Sequence, residues 1–180
     1  PSETCQQPAA IVTIEAHPDE DIHVQMVWDT PGDPDQTDGD GSDVDLHLRH
    51  PNGNNWAQAP LDCYYANASP DWGPAGPAGN PSLDIDDVNG AGPENINLDE
   101  PENTDALGGQ YLVGIDYYRA DNFASGRSWG PSEVTVRIFL GGVQAGEWVR
   151  VLQDTHHFWV VGSIVWTPND RRVQEINRYY

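Results

Sequence analysis

Aspartate is the residue type that most obviously carries chemistry here. Six fall between positions 33 and 45, at Asp33, Asp35, Asp38, Asp40, Asp43 and Asp45. A second group follows in Asp84-Ile-Asp86-Asp87-Val-Asn89-Gly-Ala-Gly-Pro-Glu94-Asn95. Calcium takes six to eight hard oxygen ligands from carboxylates, carbonyls and water. Asp is short and tolerates loops, so Asp-x-Asp spacing supplies such oxygens at little entropic cost. Asp38-Gly-Asp40-Gly-Ser-Asp43-Val-Asp45 has this D-x-D-G character. It is not an EF-hand, because no Glu closes a twelve-residue loop and no helices flank it. The candidate calcium ligands are Asp38, Asp40, Asp43, Asp45, Asp84, Asp86 and Asp87, with Glu94 or Asn95 helping.

The elements that must position them read as strands. Ile22, Val24, Met26 and Trp28 alternate with polar neighbours, as do Val44, Leu46 and Leu48, and then Leu83 and Ile85. Residues 11–16, 111–118, 134–140 and 158–166 are further apolar, β-branched stretches. Turn signals separate them at Pro51-Asn52-Gly53, Asn89-Gly90, Gly108-Gly109 and Gly141-Gly142. Only the tail, 170–180, hints at helical spacing. The pattern predicts an all-β fold, an antiparallel, jelly-roll-like β-sandwich. Alternation places Asp43 and Asp45 opposite Val44 and Leu46, and Asp84 and Asp86 opposite Leu83 and Ile85. If those strands were neighbours, the four carboxylates would form a cup that repels itself unless a cation sits in it. The alternative is two solvated acidic faces. The loops 30–42 and 67–82 are long and Gly/Pro-rich, a length associated with function or disorder.

Charge is partitioned along the chain. The 180 residues carry a formal charge of -21, and residues 1–110 hold 22 acidic residues against the single base Arg49. Residues 111–180 hold seven of each sign. All eight basic residues are Arg. Such a chain has no basic footprint for nucleic acid, and anionic surfaces repel it. Adaptation to high salt also yields acidic, Lys-free proteins, but it spreads acid over the whole surface; clustering favours cation sites. No apolar run is long enough to span a bilayer, which argues against membrane insertion. The chain starts at Pro1, as a mature product would after export and as a trimmed chain would too.

Cys5 and Cys63 are the only cysteines and are expected to form one disulfide in an exported, turn-rich chain. Trp56, Tyr65 and Trp72 sit in loops and are candidates for stacking on a glycan, as in a carbohydrate-binding module, or for capping the sandwich. Paired carboxylates near aromatics also raise a glycosidase-type reading, yet no pair stands out as acid and nucleophile. There is no G-x-S-x-G elbow either. The chain reads as a non-enzyme.

Trp28-Asp29-Thr30, Asp43-Val-Asp45-Leu-His47-Leu, Pro51-Asn52-Gly53, Leu83-Asp84-Ile-Asp86-Asp87, Gly92-Pro93-Glu94-Asn95-Ile96, Tyr111-Leu-Val-Gly and Val165-Trp166 occur in an order that resembles a bacterial family of exported β-sandwich domains of unknown function. The Asp-Val-Asp-Leu strand is loosely similar to that of the bacterial pre-peptidase C-terminal domain. The resemblance covers residues 22–167 and implies a calcium-stabilised accessory or surface sandwich. It leaves an N-terminal segment, 1–21, able to serve as an edge or donor strand, and a C-terminal tail, 168–180. The expectation is a secreted, extracellular or cell-surface calcium-binding module, adhesive or structural. Its possible partners are calcium, a surface glycan, or copies of itself in an assembly such as a filament. Whether the two ends pack within a subunit or reach the next copy stays open.

Overall fold

The structure, a computed structural model, describes residues 18–73, 76–121 and 126–180. Ten strands alternate with turns: β1 Ile22–Asp29, β2 Asp43–Arg49, β3 Asp62–Cys63, β4 Ser82–Leu83, β5 Glu94–Leu98, β6 Tyr111–Arg119, β7 Ser132–Leu140, β8 Val143–Leu152, β9 Phe158–Trp166 and β10 Arg171–Tyr179. One four-residue helix, α1 Thr104–Leu107, sits between β5 and β6. The strands form two five-stranded antiparallel sheets, β4-β5-β1-β7-β8 and β10-β9-β6-β2-β3. They pack face to face, so the expected all-β sandwich is what forms.

Period-two patterning sets the inner faces. Along β1, Ile22, Val24, Met26 and Trp28 are buried while the residues between them are half-buried or exposed. From the second sheet, Val44, Leu46, Leu48, Val113, Ile115, Tyr117, Trp159, Val161 and Ile164 meet them in one core. Each fully buried side chain of this kind contributes about 1.5–3 kcal/mol. The β7–β8 hairpin turns through Gly141 and Gly142, with φ of 57° and 77°. A tight turn with positive φ at both central residues matches the twist of its strands and favours glycine.

The structure departs from the sequence reading in three places. The tail is strand β10 rather than a helix, paired antiparallel to β9; the open ladder of β9 outweighs a weak local preference. The sandwich therefore runs past residue 167. The strand at Leu83 stops there, and Ile85 is 60% exposed. Finally, among the described residues there is no disulfide. Cys63 is a free, buried thiol that donates to the Ala68 carbonyl at 3.6 Å, and burial pushes its pKa up to about 12. Cys5 and the expected strand at 11–16 lie outside the described residues.

Candidate metal centre

The site begins on β2. Alternation puts Val44, Leu46 and Leu48 in the core, and Asp43, Asp45, His47 and Arg49 on the opposite face. β2 pairs with β6 on one side along most of its length, but with the two-residue β3 only at Leu48 and Arg49. Its other edge is therefore open around Leu46. The connection 84–93, between β4 and β5 of the other sheet, closes this gap. Glu94 is fully buried, and its Oε2 accepts the Leu46 N–H at 2.9 Å while Oε1 accepts the Asp87 N–H at 3.1 Å. One side chain thus ties the two sheets and the connection together. Close approach of the preceding loop completes the enclosure: a Cβ on Gly41 would fall 2.2 Å from the Asn89 carbonyl oxygen.

Within this enclosure Asp43, Asp45 and Asp86 each present an oxygen within 4.8 Å of the others. Asp43 and Asp45 are only 7% and 2% exposed. Asp43 Oδ1 and Asp45 Oδ2 are buried with no hydrogen-bond partner. Burial, followed by the charge of Asp86, pushes the Asp43 carboxyl up to about 7. Burial, followed by Asp43 and Glu94, pushes Asp45 up to about 9. Glu94 rises to about 8 through burial, against the pull of its two backbone N–H donors. Asp86 rises too, through burial and then Asp87. The Arg119 guanidinium pulls Asp43 the other way without reversing its rise.

Unpartnered buried carboxylate oxygens are costly, and a cation is the simplest group that satisfies several at once. The donors are all hard oxygens, without Cys or His, which suits calcium or magnesium rather than zinc. Their spread lies inside the roughly 5 Å that separates opposite oxygens of a calcium shell with 2.3–2.6 Å bonds. Asp43, Asp45 and Asp86 would hold the ion, with Glu94 beside them.

The other sequence candidates take different places. Asp84 lies outside the cup, exposed, and accepts from Asn97 Nδ2 at 2.8 Å; its own N–H still bonds the Asn95 carbonyl of β5 at 3.0 Å. Asp87 staples its own loop, accepting the Gly92 N–H at 3.0 Å, although its charge still raises Asp43 and Asp86. Asn95 faces away from Glu94 by strand alternation. Asp38 accepts the Asp40 N–H at 2.7 Å within the preceding loop. Asp40 has one buried, unpartnered oxygen but is not among the three clustered carboxylates.

Asp116 was missed in the sequence. It lies opposite Asp45 in the β2–β6 register, and burial raises its pKa while His47 and His156 oppose the rise. Its signal was present, since it is the lone acid in the apolar run 111–118, but only the register puts it beside Asp45. Farther along the same face His47 Nδ1 lies 2.9 Å from the fully buried Asp62 carboxylate. The His47 ring stacks on Tyr64 at 5.1 Å.

No protein-family model matches the chain, and no curated protein does.

The loop aromatics also separate. Trp72 is buried, donates its indole N–H to the Pro60 carbonyl at 2.8 Å and stacks on Tyr111, so it belongs to the core. Trp56 is covered by the Arg49 guanidinium at 4.4 Å and by Phe158 at 4.9 Å. Tyr65 remains 40% exposed, packed on Tyr118. Among the described residues no helix is long and apolar enough to cross a membrane.

Proposed function

We propose that this protein is a calcium-binding β-sandwich that serves as a structural or surface module rather than as a catalyst. The observation that carries the reading is the trio Asp43, Asp45 and Asp86, whose two buried members, Asp43 and Asp45, each have an oxygen without a hydrogen-bond partner. An ion there would staple the 84–93 connection of one sheet to β2 of the other and relieve the mutual repulsion of the carboxylates. Stabilisation by such an ion follows from its binding the folded chain and not the unfolded one. A glycosidase instead needs two carboxyl groups with distinct acid and nucleophile roles flanking a bond, and three carboxylates converging within 4.8 Å serve that chemistry poorly. A cup with few protein ligands suits the 10⁻⁴–10⁻³ M affinities, approximately, of extracellular calcium modules, in line with an exported protein. A glycan-binding role would fall to Tyr65, the one exposed ring of the three aromatic candidates.

Thermal unfolding at low ionic strength, in EDTA and in millimolar calcium, tests the reading alongside calorimetric titration of the chelated protein with calcium. A higher midpoint with calcium and a saturable heat are expected. An unchanged midpoint together with no heat would sink it.

A further inference from the structure

Arg49 closes β2 and stands opposite Leu112 of β6 in the ladder, while Arg178 of β10 stands opposite Val160 of β9. Both arginines line one groove of about 200 Å³ on the second sheet. Its apolar lining is Leu112, Val160 and Ile176, and its rings are Trp56 and Tyr180. Gly114 of β6 makes room for one wall: a Cβ there would fall 2.7 Å from the Phe158 ring and 2.9 Å from the Trp56 ring. Tyr180 is fixed at the other by two backbone hydrogen bonds with Phe158, at 3.2 and 2.9 Å.

The charge of this groove is out of keeping with the rest of the chain, which carries 29 acidic residues against eight arginines. Arg119, Arg137, Arg171 and Arg172 each pair with an Asp or Glu. Among the described residues, Arg49 and Arg178 have no carboxylate within 4.0 Å. Arg49 Nε is buried and unpartnered, and its Nη1 reaches only the Asn54 carbonyl, at 3.5 Å. The guanidinium lies 4.4 Å over the Trp56 ring, a contact that orients a cation without neutralising it. Arg178 Nη1 donates to the Tyr180 hydroxyl at 3.3 Å. No residue lining the groove is acidic. The wider groove that shares Arg49 and Leu112 is different, because Asp105 and Asp170 line it and Asp170 pairs with Arg172.

We propose that the groove between Arg49 and Arg178 binds a small organic anion, a single carboxylate on an apolar body the size of one ring. Guanidinium donors match the two oxygens of a carboxylate, and Leu112, Val160 and Ile176 take the body out of water. Trp56 is covered by Arg49 and Phe158 and offers its edge, whereas Tyr180, 64% exposed, offers a free ring. The groove is smaller than the roughly 300–1,000 Å³ of sites for larger ligands, so one ring fills it. A net charge of -21 disfavours a polyanion, which leaves a monocarboxylate.

NMR titration of the full chain with phenylacetate, and with its neutral isostere phenylacetamide, tests this. EDTA is present throughout, so that no ion in the acidic cup takes up the carboxylate. Saturable shifts of the Leu112, Val160 and Ile176 methyls are expected, with a dissociation constant of about 1 mM for so small a ligand. Phenylacetamide should bind at least about tenfold more weakly. Arg178→Gln should weaken phenylacetate about tenfold while its core amide spectrum stays unchanged, and Arg172→Gln should leave the affinity within about twofold. Equal binding of acid and amide by the unaltered chain overturns the proposal. So does the absence of saturable shifts, or shifts centred away from these three methyls.

Discussion

The loop from Thr30 to Ser42 and the cup of Asp43, Asp45 and Asp86 are neighbours in the chain and similarly acidic, yet they hold their charge in opposite ways. In the loop, Asp33 accepts the Asp35 N–H, and Asp35 accepts both the Thr37 hydroxyl and its N–H. Asp38 accepts the Asp40 N–H. These are local Asx turns, exposed at Asp35 and Asp38, and the hydrogen bonds from Thr37 hold the Asp35 carboxyl below its ordinary value. The loop is anchored from beneath by hydroxyls, with Thr30 Oγ1 2.6 Å from both Ser42 Oγ and Ser132 Oγ. In the cup Asp43 and Asp45 are buried, one oxygen of each lacks a donor, and Asp45 is pushed up to about 9. The difference teaches that acid density alone does not raise a carboxyl's pKa: Asp35 is lowered in its turn, and Asp43 and Asp45 rise through burial beside other carboxylates.

The largest expected effect comes from Glu94→Ala. It leaves the Leu46 and Asp87 N–H groups without their acceptor in a buried setting, at about 1–3 kcal/mol each, partly offset by relief of repulsion; a net loss of roughly 3 kcal/mol should appear in denaturant unfolding. A loss below roughly 1 kcal/mol would mean that the cup does not depend on this tie between the sheets. Next is calcium itself. At a hundred times its dissociation constant it should add about 2.7 kcal/mol, or roughly 5–10 °C in midpoint. Asp45→Asn should abolish that response and, by removing a repelling buried charge, raise the midpoint of the metal-free protein. A calcium response that survives in this variant would move the site elsewhere.

pH should sharpen the comparison. Asp43, Asp45 and Glu94 have folded values of about 7, 9 and 8, raised above the ordinary carboxylate range. The folded, metal-free chain thus holds these protons more tightly than the unfolded chain does. Their stabilising contribution is fully present below about pH 4 and is lost as pH rises through those three values. In EDTA the midpoint should therefore fall between about pH 5 and pH 9. In calcium, which competes with the protons, the gain over EDTA should grow across the same window. Equal slopes in the two buffers would break the comparison. The smallest effect belongs to Asp35→Asn, which should leave the midpoint nearly unmoved and the calcium-induced rise intact in the same melts.

Much of this was legible in the chain. Alternation in residues 22–28 and 44–48 specifies which side chains are buried, because a strand has a period of two and one face must leave water. Asp43 and Asp45 followed from the same rule. The pairing of Asp84 with Asp86 did not follow, because strand alternation was extended past Leu83, where the regular strand stops. The expected adjacency of the β2 and β4 strands failed as well, since they belong to different sheets. The carboxylates converge between sheets, through the 84–93 connection.

By itself the sequence determined a β-sandwich and the acidic character of its first 110 residues, because local periodicity and composition are properties of the chain. Only the tertiary structure decided which acids matter. It buried Asp43 and Asp45 without donors, gave Glu94 two backbone N–H groups to accept, set Asp116 opposite Asp45 and left Asp84 in water. Desolvation and charge repulsion depend on what surrounds a group in space, and neighbours brought together from two sheets cannot be read from spacing along one chain.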